Sequence, residues 1–429
     1  MSRRVQPIMQ YFTTPRGMNR RHFLTHLAGS AALAAPALAL TRALTANAAT
    51  LKRNHKSCIL LWMGGGPPSI DIWDMKPGAT TAGPFKPIST KGEGQINELL
   101  PKVADQMHRL SIVRSMSTRE ADHERGRYYM HTGFVPNPNV QHPCYGSVVA
   151  HELKRNLGAL EIPPFVSIGG ASEGPGFLGM AYAPFQVDSN GRVRDAKARV
   201  SDVRMNDRMK LLDTLERRFI SEDRGPAPAE HAKVLESTVS LMTSNQMAAF
   251  DIQSEPQSAR EWYGETAFGR GCLMARRLVE TGVPFVEVNL GGWDLHQNCF
   301  DQLQTKLPEM DVAMSALVED LATRGLLENT VVLWMGEFGR TPRINGNAGR
   351  DHWARSWSVV AGGGGIEGGR VVGETNEDGT RVTTEPFSSE DLMSTICHTL
   401  GISLEKNFTA ANGRPMKIAG GGKVITDLL

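Results

Sequence analysis

The residues best suited to chemistry follow three apolar runs. Val331-Val332-Leu333-Trp334-Met335 stops at Gly336 and hands over to Glu337 and Arg340, then, past a loop rich in Gly and Asn, to Arg350, Asp351 and His352. Pro284 to Leu290 ends in Gly291-Gly292 and delivers Asp294 and His296. Ser57 to Met63 ends in Gly64-Gly65-Gly66, with Asp71 and Asp74 beyond it. Carboxylate and imidazole together are ligands for divalent ions, suiting zinc or manganese better than calcium, which stays as the third choice. A pair of such ions can clamp the attacking and leaving oxygens of a phosphate or sulfate ester. Asp71 or Asp74, Asp294 with His296, and Glu337 with His352 are therefore the candidate ligands, for one ion or for two. Arg127, Arg340 and Arg350 can grip a tetrahedral anion through bidentate bonds, Arg350 and its neighbour Asp351 forming the anion-binding side of the late loop. Taken singly, each of these residues reads as solvated loop, with Glu337 and Arg340 paired at the surface; the clustering favours a site.

Such residues need strands that end together. Short apolar runs at 57–63, 110–115, 165–168, 284–290, 331–335 and 357–361 read as strands, most closing on glycine. Helices are expected between them. The segment 122–133 opens just past a strand, where a helix amino terminus with nearby cations favours an anion. Leu303, Leu307, Met310, Met314, Leu317 and Leu321 repeat at four-three spacing and form a core stripe, stopped by Gly325. Alternation of strand, polar cluster and helix predicts a three-layer α/β/α sandwich around a mostly parallel sheet. From about 196 to 265 the chain turns polar and helical, which reads as an insertion covering one sheet edge. The first strand is followed by neither G-x-G-x-x-G nor a Gly-Lys-Ser/Thr loop, so dinucleotide and P-loop chemistry are excluded.

The 429 residues are 40% hydrophobic and 21% charged with a net charge of +2, an ordinary globular balance that gives no support for nucleic-acid binding. Five cysteines without C-x-x-C spacing argue against a thiolate zinc site or a disulfide framework. Residues 1–48 stand apart. Arg20-Arg21-His22-Phe23-Leu24 leads into an alanine-rich apolar stretch and a small-residue site at Ala46-Asn47-Ala48, resembling a twin-arginine export signal. The apolar stretch is short for a membrane helix, so no stable span is expected after its removal. Residues 49–429 would then form a single α/β domain in the periplasm or outside the cell. Met18 is a second candidate start, and residues 1–17 carry no assignable role.

The chain also resembles the alkaline phosphatase and sulfatase superfamily, most closely the secreted sulfatase-like proteins grouped as domain of unknown function 1501. The resemblance rests on Gly65-Gly66 through Asp71, Trp73, Asp74, Lys76 and Pro77; His123-Glu124 with Thr132-Gly133; His142-Pro143 with Gly146-Ser147; Arg276 to Glu280; Gly292-Trp293-Asp294 with His296; and Gly336 to Pro342 with Asp351-His352-Trp353. It implies an alkaline-phosphatase-like fold, a divalent metal, and a small anionic ester or a sulfated or phosphorylated polymer as partner. The match places His123 where the superfamily carries its Cys or Ser nucleophile, and Arg127 at the accompanying arginine. Gly64-Gly65 replaces paired metal-binding aspartates, and Glu337-Phe338 replaces an Asp-His pair. Three roles follow for the site: His123 as nucleophile, His123 as metal ligand or general acid in direct attack by water, or binding of an anionic glycan or envelope partner without turnover.

Overall fold

The computed structural model describes residues 55–154, 160–193, 200–221, 227–410 and 412–429; the signal assigned to residues 1–48 lies outside them. The central sheet contains β1 (Ser57–Trp62), β2 (Leu110–Met116), β3 (Phe165–Ile168), β4 (Phe185–Val187), β5 (Phe285–Asn289) and β6 (Thr330–Met335). After β6 come a short antiparallel pair outside the sheet, β7 (Gly339–Arg340) and β8 (His352–Trp353), then β9 (Trp357–Gly362) and β10 (Val371–Val372). The sheet order is β10-β2-β9-β6-β1-β5-β3-β4. All neighbours pair parallel except β9, which runs antiparallel to both β2 and β6. The expected mostly parallel sheet is therefore present, with one reversed strand in its interior.

Alternate side chains of each central strand enter opposite cores, because strand side chains have a period of two. Ile59, Leu61, Val286, Val288, Val332 and Trp334 pack on one side, against α5 (Ala267–Thr281) and α6 (Cys299–Thr323). Cys58, Leu60, Trp62, Phe285, Val331, Leu333 and Met335 face the other, against α1 (His123–Thr132), α2 (Tyr145–Leu153) and α7 (Ser389–Thr399). Two covered faces explain why the strands read as continuous apolar runs instead of alternating ones. The result is the α/β/α sandwich. The α6 stripe is core as expected: Leu303, Leu307, Met310, Met314, Leu317 and Leu321 are all fully buried.

Within the segment read as an insertion lie α3 (Asp202–Ser221) and α4 (Ala227–Thr243). Helix α4 packs near the Met180–Tyr182 turn that leads into edge strand β4. All five cysteines are buried and unbridged. No helix among the described residues is long and apolar enough to cross a membrane.

Candidate metal centre at the carboxyl edge of the sheet

Strands β1, β5 and β6 run parallel, so their carboxyl ends share one edge. β2 has the same direction, because both it and β6 oppose β9, and α1 therefore begins at that edge. The antiparallel β9 starts there, which brings the preceding His352 to the same place. Such an edge is where open α/β sheets present ligands.

Each site residue is delivered by a neighbour that is not itself chemical. Trp293 and Leu295 are fully buried, and the two polar residues between and after them, Asp294 and His296, are turned outward together. Gly65 sits at φ +118°, and a Cβ there would come within 2.5 Å of the Asp294 backbone nitrogen, so only glycine lets this turn meet the Asp294 loop. Its N–H instead donates to Glu337, 2.9 Å from Oε1 and 3.2 Å from Oε2. Phe338 is buried, with its ring 5.0 Å from that of His123 and 4.8 Å from that of His352. It forms an apolar back wall behind the two imidazoles.

Three imidazoles converge on a single carboxylate oxygen. Asp294 Oδ1 lies 3.1 Å from His296 Nε2, 3.2 Å from His123 Nε2 and 3.4 Å from His352 Nε2. His296 Nε2 and His352 Nε2 are 3.0 Å apart. Each ring is pinned at its other nitrogen by an acceptor: His123 Nδ1 by Glu337 Oε1 at 2.6 Å, His296 Nδ1 by Asp351 Oδ1 at 2.8 Å, and His352 Nδ1 by the Ala121 carbonyl at 2.7 Å. Each Nδ1 contact is shorter than the contact of the same ring's Nε2 with Asp294, which favours the hydrogen on Nδ1 in each neutral ring and turns the three Nε2 atoms toward one another and toward Asp294. Asn345 donates to Asp351 Oδ1 at 3.1 Å and to the His296 carbonyl at 3.0 Å, fixing that part of the site.

The electrostatics follow from these contacts. The Glu337 hydrogen bond raises the His123 pKa, whereas burial lowers that of His352. Burial alone would raise Asp294, but the Arg340 hydrogen bond and charge, with help from His123, hold its carboxyl at about 2. His296 and Asn345 likewise hold Asp351 below its usual value.

The structure thus brings together His123, Asp294, His296, Glu337, Arg340, Asp351 and His352, and corrects the expected assignment elsewhere. Asp71, 1% exposed, forms a two-bond pair with Arg350 at 2.6 and 2.8 Å. Arg350 is itself fully buried and spends its other donors on the carbonyls of Thr81, Thr341 and Pro342, so it has none for an anion. Asp74 is buried against Lys76, Arg114 and Thr375. Neither Asp71 nor Asp74 reaches the cluster, and Glu337, 3% exposed, is occupied by His123 and the Gly65 N–H. The second ion expected among these residues has no ligand set. Arg340 is buried too, bonded to the carbonyls of Gly65, Gly66 and Arg350 and, at 2.5 Å, to Asp294 Oδ1. Asp351 acts on His296, not on an anion. Arg127 does line the site: His123, Asp294 and Glu337 open onto a cleft of about 830 Å³ bounded also by Arg125, Arg127, Tyr128 and Glu173.

Asn345 and Glu173 were not anticipated. Asn345 reads in sequence as the start of an Asn-Gly turn, and Glu173 follows the Gly169-Gly170 pair after β3; a polar residue past a strand end is the available signal for both.

A family model described as protein of unknown function, DUF1501, matches residues 55–429. The chain belongs to that family. No curated protein matches the chain. Among solved structures, a sulfatase from Pseudoalteromonas sp. is similar at 12% identity and TM-score 0.36, covering 83% of this chain and 70% of that one. The alkaline phosphatase of the Antarctic bacterium TAB5 is similar at 14% identity and TM-score 0.34, covering 81% and 98%. A phosphonate monoester hydrolase from Silicibacter pomeroyi is similar at 11% identity and TM-score 0.37, covering 88% and 76%.

Proposed function

We propose that this chain is a metal-dependent hydrolase of sulfate or phosphate esters, small or carried on a polysaccharide, that works outside the cytoplasm after twin-arginine export. One observation carries the reading: three imidazole Nε2 atoms gather around one Asp294 oxygen while every Nδ1 is held by an acceptor. Metal-ligating histidines are oriented in this manner. The residues fit a divalent ion. His123, Asp294 and His352 offer ligand atoms within 4.8 Å of one another, and His296 stands alongside. His123 Nε2 is buried with no hydrogen-bond partner. A set of imidazoles and a carboxylate suits zinc or manganese ahead of calcium.

Bound there, such an ion supplies Lewis acidity toward an ester oxygen and an acidified water near neutral pH. The chain's own residues do the rest. Glu337, Asp351 and the Ala121 carbonyl fix the three rings. Arg340 holds Asp294 ionised from below. The cleft receives the ester beside His123. Among the described residues no serine, threonine or cysteine lines that cleft, and the Tyr128 hydroxyl there is engaged with His142, which favours direct attack by water over a covalent hydroxyl or thiol intermediate. In this reading His123 is a ligand and not a nucleophile, since its Nε2 points to Asp294 with the other two.

One contact favours a second reading. Arg340 Nη2 already occupies Asp294 Oδ1 at 2.5 Å, so a permanent cation partly replaces a metal, as in a protein that binds anionic glycans without turnover. Elemental analysis of protein purified without chelator separates the two. Roughly one zinc or manganese per chain is expected, lost in His352→Ala and Asp294→Asn, with metal-dependent cleavage of aryl sulfate or aryl phosphate. No bound metal, and a melting temperature unmoved by added zinc or manganese, would sink the hydrolase and leave the binder.

A further inference from the structure

The charges around the cleft speak to the kind of ester it accepts. Among the described residues its lining carries four carboxylates, Glu124, Glu173, Asp294 and Glu337, against two guanidinium groups, Arg125 and Arg127. Both arginines are engaged. Arg125 turns to Glu120, outside the lining, through bonds of 2.7 and 2.8 Å. Arg127 Nε lies 2.9 Å from Glu173 Oε1, and both side chains remain partly exposed to the cleft. Beneath the floor, Arg340 against Asp294 and Asp351 against His296 offset each other. With Glu120 counted against Arg125, the cleft has an acidic excess of three charges, of which one divalent ion at the imidazole cluster would cancel two.

Glu173 is held where it stands. It follows β3 and the Gly169-Gly170 turn, and its neighbour Ser172 donates at 2.5 Å to the fully buried Glu287, which anchors the chain at that point. A ligand reaching for Arg127 therefore meets the Glu173 carboxylate beside it.

We propose that the cleft selects singly charged tetrahedral esters, sulfate monoesters or phosphate diesters, over doubly charged phosphate monoesters, and that Glu173, through its pairing with Arg127, sets this choice. The inference rests on the ester-hydrolase reading for its substrate but concerns binding. A monoanion can share the outer edge of the Arg127 guanidinium while Glu173 keeps its ion pair with Nε. A dianion adds a second negative charge beside that carboxylate, in a cleft with no cation left over.

Two non-hydrolysable probes of nearly equal shape, phenylsulfonate and phenylphosphonate, differ by one charge at a pH where the phosphonate is fully ionised. Calorimetric titration of the metal-loaded full chain should show tighter binding of the sulfonate. Glu173→Gln should shift the ratio of affinities toward the phosphonate by about fivefold, the upper range for one half-exposed charge contact, while Glu173→Asp keeps the wild-type preference. Rates on aryl sulfate, diaryl phosphate and aryl phosphate should follow the same order, and comparison of the first two identifies the natural source of the monoanion. Equal or tighter phosphonate binding by wild type, an unmoved ratio in Glu173→Gln, or binding of neither probe overturns the proposal. A sulfonate preference that shifts as stated, without turnover of any ester, sustains the charge selection and removes the hydrolase reading instead.

Discussion

Glu337 is a ligand by type and a holder by geometry. Its two oxygens are taken by the His123 ring and the Gly65 N–H, so its work is to orient an imidazole. The same residue-scale logic appears one layer below the cleft. His131, fully buried in α1, approaches Glu287 Oε2 at 3.4 Å while its Nδ1 faces the Arg127 carbonyl. Burial pushes the His131 pKa down, and the Glu287 charge more than offsets this, leaving it raised. A group whose folded pKa is raised adds stability that is complete below its unfolded value of about 6.5 and disappears as pH climbs through the folded value. Wild type should therefore exceed Glu287→Gln by roughly 3 kcal/mol in acid, the cost of breaking a buried pair, with the gap narrowing as pH rises. Melting temperature against pH for both proteins checks this; a constant gap would contradict it.

At the scale of elements, two loops must be locked for the cluster to exist. The loop from β7 to β8 carries Asp351 and leads directly into His352, and the Asp71–Arg350 pair ties it to the segment after β1. Arg350 also stacks over the Phe300 ring at 5.6 Å, linking the loop to the start of α6. The residues expected to bind metal and anion are thus a clasp for those that surround the imidazole site. Asp71→Ala leaves a guanidinium buried without its partner and should cost about 3–5 kcal/mol, visible as a lowered unfolding midpoint. Metal stoichiometry should fall with it, because the freed loop positions His352.

For the whole molecule, the sheet direction decides where the cluster lies. Four strands end at one edge and a fifth, reversed, begins there, so His123, Asp294, Glu337 and His352 meet although they span more than half the chain. The first 54 residues contain eight Lys or Arg and no Asp or Glu, a charge balance that suits the export signal proposed for residues 1–48. Replacing Arg20 and Arg21 by lysine together should retain the protein in the cytoplasm in a cell-fractionation assay; undiminished export of this variant would refute the twin-arginine route.

The sequence by itself determined the layers. Continuous apolar strands closing on glycine, and a four-three stripe on α6, require a sheet covered on both faces, because burial is set by local periodicity. It also marked Asp294, His296 and His352, each of which follows or precedes a strand. Only the tertiary structure decided which charged residues face the cleft and which face one another. Asp71, Asp74 and Arg350 look in sequence like ligands, yet they lie among the buried polar side chains, since a carboxylate in a core is tolerable only beside a cation. The acceptors that fix the three imidazoles come from positions far apart in the chain, at Ala121, Glu337 and Asp351. Local spacing cannot report such contacts, because strand order and the reversal of β9 bring them within reach.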